Sequence, residues 1–149
     1  MAHKILIDTN VLVYAFDKNA PRKQKQSIDL LQATSDRGVG LLSTQILGEF
    51  FNAVTKKLTE PLTFAMAQKE VHHFLEAWAT APVTEMTVIE AMRGVKEYGF
   101  SYWDSQLWAT ALLNQAAVVL SEDFQDGFDA EGVRFLNPFH EKFELSSLV

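Results

Sequence analysis

Apolar residues in this chain alternate between short continuous runs and longer stripes at helical spacing. Lys4 to Ile7 is a run of the kind that forms a strand buried on both faces, and Val11 to Phe16 begins a helix behind Thr9 and Asn10, two plausible caps. After the break at Asn19-Ala20-Pro21, the residues Pro21 to Asp36 read as a helix with proline near its start, Ile28, Leu30 and Leu31 facing inward and Gly38 beyond its end. Gly40 to Ser43 is short enough only for a second strand. Ile46, Leu47, Phe50, Phe51 and Val54 form one stripe of a third helix that begins near Thr44. Phe64, Val71, Phe74, Leu75 and Trp78 repeat that geometry up to Pro82. A short strand is expected at Val83 to Met86, then helices over Val88 to Tyr98, closed by Gly99, and over Trp103 to Gln115. Ala117 to Leu120 and Val133 to Leu136 are β-rich runs separated by a turn segment with Gly127 and Gly132. Strands alternating with helices predict an α/β domain around a mostly parallel sheet.

Composition narrows the picture. The 149 residues, 48% of them apolar, suit one domain with a real core, expected over residues 1–139 and followed by a tail at 140–149. With no cysteine, any metal must be held by oxygen or imidazole. The apolar stretch from Ile5 to Phe16 is interrupted by Asp8-Thr9-Asn10, so neither a signal sequence nor a membrane span is expected, and the location expected is cytoplasmic. The net charge of −6 argues against general adhesion to nucleic acid but says little about a local site neutralised by cations.

Acidic residues recur where apolar runs stop. Asp8 ends Ile5-Leu6-Ile7, Asp104 follows Tyr102-Trp103, and Asp123 follows Val118-Val119-Leu120-Ser121-Glu122. Asp8 sits at the carboxyl end of a core strand, where open α/β sheets place their ligand sites. Asp104 falls in the arc of Leu107, Trp108 and Ala111, which predicts a carboxylate directed toward packed structure. Glu49 lies at the edge of its helix's apolar stripe. Each has a plainer reading: a turn or N-cap for Asp8, a first-turn cap for Asp104, a short helix cap for Asp123 or Asp126, and a solvated helical Glu49. Their recurrence favours convergence. Two carboxylates about 4 Å apart repel by roughly 4 kcal/mol, so several can share a pocket only with a cation. An all-oxygen pocket suits Mg²⁺ or Mn²⁺, and such ions serve hydrolytic phosphoryl transfer.

On these residues the chain resembles the PIN-domain ribonucleases, most closely the VapC-like toxins of toxin–antitoxin modules. The resemblance covers about residues 4 to 139. It rests on Ile5-Leu6-Ile7-Asp8-Thr9-Asn10, Glu49, Tyr102-Trp103-Asp104, the run from Leu120 to Gly127, and Asn137-Pro138-Phe139. It implies a three-layer α/β/α sandwich with about five parallel strands and metal-dependent endoribonuclease activity. It makes Asp8, Glu49, Asp104 and Asp123 the catalytic acids, with Asp8, Asp104 and Asp123 on the metal. Glu49 is left to hold a metal-bound water or a second ion. Thr9 and Ser121 become hydrogen-bonding supports, and Asp126 an accessory carboxylate. A homodimer, an RNA substrate and a cognate antitoxin whose C-terminal segment occupies the cleft are implied as well.

Two other classes compete with this reading. One is a non-enzymatic partner- or RNA-binding module with a vestigial site. The other is an aspartyl-phosphate phosphatase with Asp8 as nucleophile, a chemistry that wants a carboxylate where this chain has Asn10. Phe50, Phe51 and the helix from Phe64 to Trp78 offer apolar surface for an interface, although each residue alone reads as core. Arg22-Lys23-Gln24-Lys25 and Arg93 to Lys96 read as solvated helix faces, Tyr102 and Trp103 as packed side chains, and none of the four histidines as catalytic.

Overall fold

The first strand, β1 (Lys4–Ile7), carries three consecutive buried apolar side chains, so both of its faces must be covered. The computed structural model describes residues 3–148. After β1 come α1 (Thr9–Tyr14), α2 (Pro21–Arg37), β2 (Gly40–Ser43), α3 (Thr44–Lys56), α4 (Phe64–Ala77) and β3 (Ala79–Ala81). The second half holds α5 (Glu85–Tyr98), α6 (Tyr102–Leu113), β4 (Ala116–Leu120), β5 (Asp129–Ala130) and β6 (Val133–Leu136), then a 3₁₀ turn at Leu145–Ser147. The strands form one sheet in the order β3-β2-β1-β4-β6-β5, parallel throughout except for β5, with helices on both faces. This is the three-layer α/β/α arrangement expected, with an added antiparallel edge. No helix among the described residues is long and apolar enough to cross a membrane.

Two local details depart from the sequence expectation. The third strand lies at Ala79–Ala81 and not at Val83 to Met86. Thr84 instead caps α5: its side chain accepts from the Thr87 amide, and the Thr87 hydroxyl accepts from the Thr84 amide, so the backbone there is committed to a helix start. The second departure is β5, which folds back on β6 through Glu131 and Gly132, both at positive φ (56° and 87°), a turn suited to a tight hairpin. Beyond Phe139 the chain lies back on the domain through Phe143, Leu145 and Leu148, and Leu145–Ser147 supplies its one helical turn.

The α5–α6 contact is close because Gly94 faces Trp108. A Cβ there would collide with Ser105 Oγ and stand 2.8 Å from Trp108 Cε3. Gly94→Ala is therefore expected to destabilise the fold by about 1–3 kcal/mol despite its better helix propensity. Urea unfolding measures this, and an unchanged midpoint would show that α5 and α6 can separate without cost.

Chain order explains where a site can form. From β1 the sheet grows outward through β2 and β3, then returns to the other side of β1 with β4, which makes β1 and β4 the point where strand order reverses. Ile7 is paired with Leu120, so the residues that follow, Asp8 and Ser121, leave the sheet side by side.

Candidate active site

Asp8 serves as the N-cap of α1 and as a member of the site at once. Its backbone is extended (φ −71°, ψ 159°), and Oδ1 accepts from the Thr9 amide at 2.7 Å. That leaves Oδ2 facing β4, where it accepts from Ser121 Oγ at 2.7 Å and Asn10 Nδ2 at 3.3 Å. Ser121 Oγ in turn accepts from the Asp123 amide and from Asn10 Nδ2, each at 3.1 Å. The same Asn10 nitrogen donates to Asp123 Oδ2 at 3.1 Å, so one amide group ties two carboxylates together. Phe124 stacks on Phe135 with ring centroids 4.2 Å apart, which anchors the chain immediately after Asp123.

The other two acids come from helices. Ser101 caps α6 by accepting from the Asp104 amide at 3.2 Å, which holds Asp104 in the first turn at the mouth of the site. The sequence reading directed Asp104 into packed structure. Instead α6 is buried on every side from Ser105 to Ala111, and Asp104, one residue earlier, is half-buried and opens on the cleft. Glu49, from the middle of α3, meets it there. Asp8, Glu49, Asp104 and Asp123 line one cleft of about 390 Å³, with Lys57 and Trp103 on its wall.

Electrostatics show that the four acids act on one another. Burial, chiefly, pushes the Asp8 carboxyl up to about 6; Asp123 and Glu49 push the same way, while the Ser121 and Thr9 hydrogen bonds pull it back. Burial also raises Glu49, with Asp104 and Asp123 adding to the effect. Asp104 is raised by burial and by Asp123. Among the described residues no three carboxylates or histidines converge closely enough to cage an ion by themselves. The donor set still fits a hard cation that keeps several waters and takes only one or two carboxylates directly. Thr9 Oγ1, buried beside this cleft without a hydrogen-bond partner, fits a hydrated guest too.

Not every expected member is present. Asp126 lies outside the cleft: its Oδ1 accepts from the Asn137 amide at 2.8 Å, and its side chain lines a groove with Arg134 and His140. Gly127, at φ 86°, turns the chain toward β6 and carries Asp126 to the loop after that strand. Thr9 supports Asp8 through its amide and not its hydroxyl. Trp103, read as packed, is 65% exposed. Phe50 is fully buried, so the exposed apolar surface of that region is Phe64, Met66 and Leu75 on α4.

The sequence reading also missed partners of the site. Tyr14 Oη donates to Glu122 Oε1 at 2.7 Å, and Lys23 Nζ pairs with Glu122 Oε2 at 2.9 Å while lying 4.7 Å from the Tyr14 ring centroid. Glu122 also donates its amide to Asn10 Oδ1 at 3.5 Å. The available signal was spacing, because Asn10 and Tyr14 are one helical turn apart and share a face of α1.

Comparison with known proteins places this geometry. A family model described as the PIN domain matches residues 5–129. A toxin–antitoxin complex from Klebsiella pneumoniae superposes with a TM-score of 0.68 at 17% identity, covering 91% of this chain and 98% of that one. VapBC from Salmonella typhimurium, solved bound to DNA, gives 0.65 at 15% identity, covering 93% and 99%. Mycobacterium tuberculosis VapC20, described as a toxin that cleaves the sarcin-ricin loop, gives 0.61 at 14% identity over 78% and 87%. No curated protein matches. A match to the family model over most of the chain, joined to a VapC-like fold with four acids at its sheet switch point, means that this chain belongs to the PIN domain family.

Proposed function

We propose that this protein is a divalent-metal-dependent endoribonuclease and the toxin of a toxin–antitoxin pair, acting in the cytoplasm. The observation that carries the reading is the convergence of Asp8, Glu49, Asp104 and Asp123, from four separate segments, on one cleft where burial and acidic neighbours raise the carboxyl pKa of Asp8, Glu49 and Asp104. Repulsion of this kind suits a site whose function requires cations.

Asp8, Asp104 and Asp123 are the residues that would hold Mg²⁺ or Mn²⁺. When bound, the metal supplies an activated water and neutralises charge on the attacked phosphodiester and its leaving group. Ser121 and Asn10 orient Asp8 and Asp123 from behind, and Glu49 holds a water at the far wall. Lys57, on the same wall, meets the backbone of the RNA. The structural neighbours described as toxin–antitoxin complexes support an antitoxin partner here, and a homodimer is proposed with it.

The purified protein is expected to cut single-stranded RNA in Mn²⁺ or Mg²⁺. Excess EDTA should stop it, and Asp104→Asn should slow it about a hundred-fold or more, measured on a labelled oligonucleotide. Full cleavage in EDTA would refute the proposal. A folded protein that binds Mn²⁺ by calorimetry yet cuts no RNA would favour the vestigial binding module.

A further inference from the structure

Trp103 is the anomaly of the cleft. It lies in the first turn of a helix that is buried from Ser105 to Ala111, yet its own side chain is 65% exposed. Its main chain is held in place. The Tyr102 hydroxyl donates to Gln106 Oε1 at 2.9 Å, Gln106 Nε2 donates to Gln45 Oε1 at 3.0 Å, and Gln45 Nε2 returns to the Trp103 carbonyl at 3.4 Å. This chain of bonds joins α6 to α3 one turn before Glu49. The Tyr102 ring meets the indole edge-on, with centroids 5.1 Å apart and planes at 85°. Trp103 is thus a preset aromatic surface next to Asp104, on the wall of the acidic cleft.

We infer that Trp103 is a substrate-positioning platform on which a nucleobase flanking the cut phosphodiester stacks. The inference rests on the ribonuclease reading and names how that site takes hold of its substrate. A stacked base needs one accessible π-face and little else, and every base offers the complementary face. A protein anchor needs more, since an interface tryptophan binds within a surround of contacts that exclude water. Around Trp103 the cleft wall presents Gln45, Glu49 and Asp104, and the nearby Leu107 is buried, so a lone indole stands among polar groups. With the phosphodiester at the carboxylates, the adjoining base falls beside the indole.

The test uses the full chain, a short single-stranded RNA for cleavage and its 2′-O-methyl analogue for binding by fluorescence anisotropy. Trp103→Ala is expected to raise KM and weaken analogue binding roughly ten-fold, with kcat within about two-fold of wild type. Trp103→Phe should recover most of that loss, whereas Trp103→Leu, apolar but without a π-face, should not. An abasic position beside the cut should weaken binding to the wild type and leave Trp103→Ala unaffected. Unchanged analogue affinity in Trp103→Ala would overturn the inference and leave the indole to a protein partner. Equal rescue by leucine would overturn it as well. If the wild type binds the analogue but cuts no RNA, the ribonuclease reading fails while the binding comparison still decides the role of Trp103.

Discussion

Asp8→Asn is expected to abolish RNA cleavage, by about a thousand-fold or more, while making the protein more stable at neutral pH in the presence of a chelator. The two effects share one cause. The Asp8 carboxyl titrates at about 6 in the fold against 3.8 for the free side chain, because burial and the neighbouring Asp123 and Glu49 disfavour its charge. Between those two values the folded state binds the proton that the unfolded chain has released, so stability falls as pH rises from about 4 and levels off above about 6. The full difference corresponds to about 3 kcal/mol. Asp8 is partly open to the cleft, which reduces the expected effect to roughly 2 kcal/mol. Asparagine removes the charge but loses one acceptor facing Ser121 and Asn10, leaving a net gain of about 1 kcal/mol at pH 7.5. Urea unfolding in EDTA at pH 4.5 and 7.5 tests this: the wild type should lose stability between the two, and the variant should lose less, keeping only the smaller slope from Glu49 and Asp104. Retained cleavage, or a variant less stable than wild type at pH 7.5 with an undiminished pH slope, would contradict the assignment.

The legibility of this fold in its sequence followed physical range. Local signals were readable: Ile5 to Ile7 as a doubly buried strand, Pro21 opening α2, Gly99 closing α5. Thr84 was readable too, but its capping pair with Thr87 competes with a β-rich tetrapeptide, and only the hydrogen bonds decide the contest. What no local pattern carries is strand order. That β4 returns to lie against β1, so that Ser121 meets Asp8, depends on contacts more than a hundred residues apart. The acids were visible as residues ending apolar runs, and four of them do meet at one cleft, but Asp126 looks like the others in sequence and is turned away by Gly127. Trp103 and Asn10 were misjudged in opposite senses. The indole was assigned to the core by its type, while the amide was read only as a cap, although it bridges Asp8 and Asp123.

Saturating Mn²⁺ is expected to raise the melting temperature by roughly 5–10 °C and to remove the pH dependence just described. A ligand held at about a hundred times its dissociation constant adds about 2.7 kcal/mol to stability, and in a domain of this size each kcal/mol moves Tm by about 2–4 °C. The loss of slope follows from charge. Without a cation, the Asp8 carboxyl is raised by burial and by its acidic neighbours, and stability falls as pH rises through the acid range. A cation bound beside the same carboxylate favours its ionised form and drives its pKa below the unfolded value of 3.8. Above about pH 4 the metal-bound fold and the unfolded chain then both carry Asp8 ionised, so the fall in stability through the acid range disappears. Scanning calorimetry at pH 5 and pH 7 should show stability falling with pH in EDTA and nearly constant with Mn²⁺. The same measurement separates Asp104, read from the sequence as a metal ligand, from Asp126, read as an accessory carboxylate. Asp104→Asn removes a cleft carboxylate and should lose most of the Mn²⁺ shift. Asp126→Asn, whose side chain serves the Asn137 amide, should keep it whole. A loss of the shift in Asp126→Asn equal to that in Asp104→Asn would return Asp126 to the metal site, against its position in the fold.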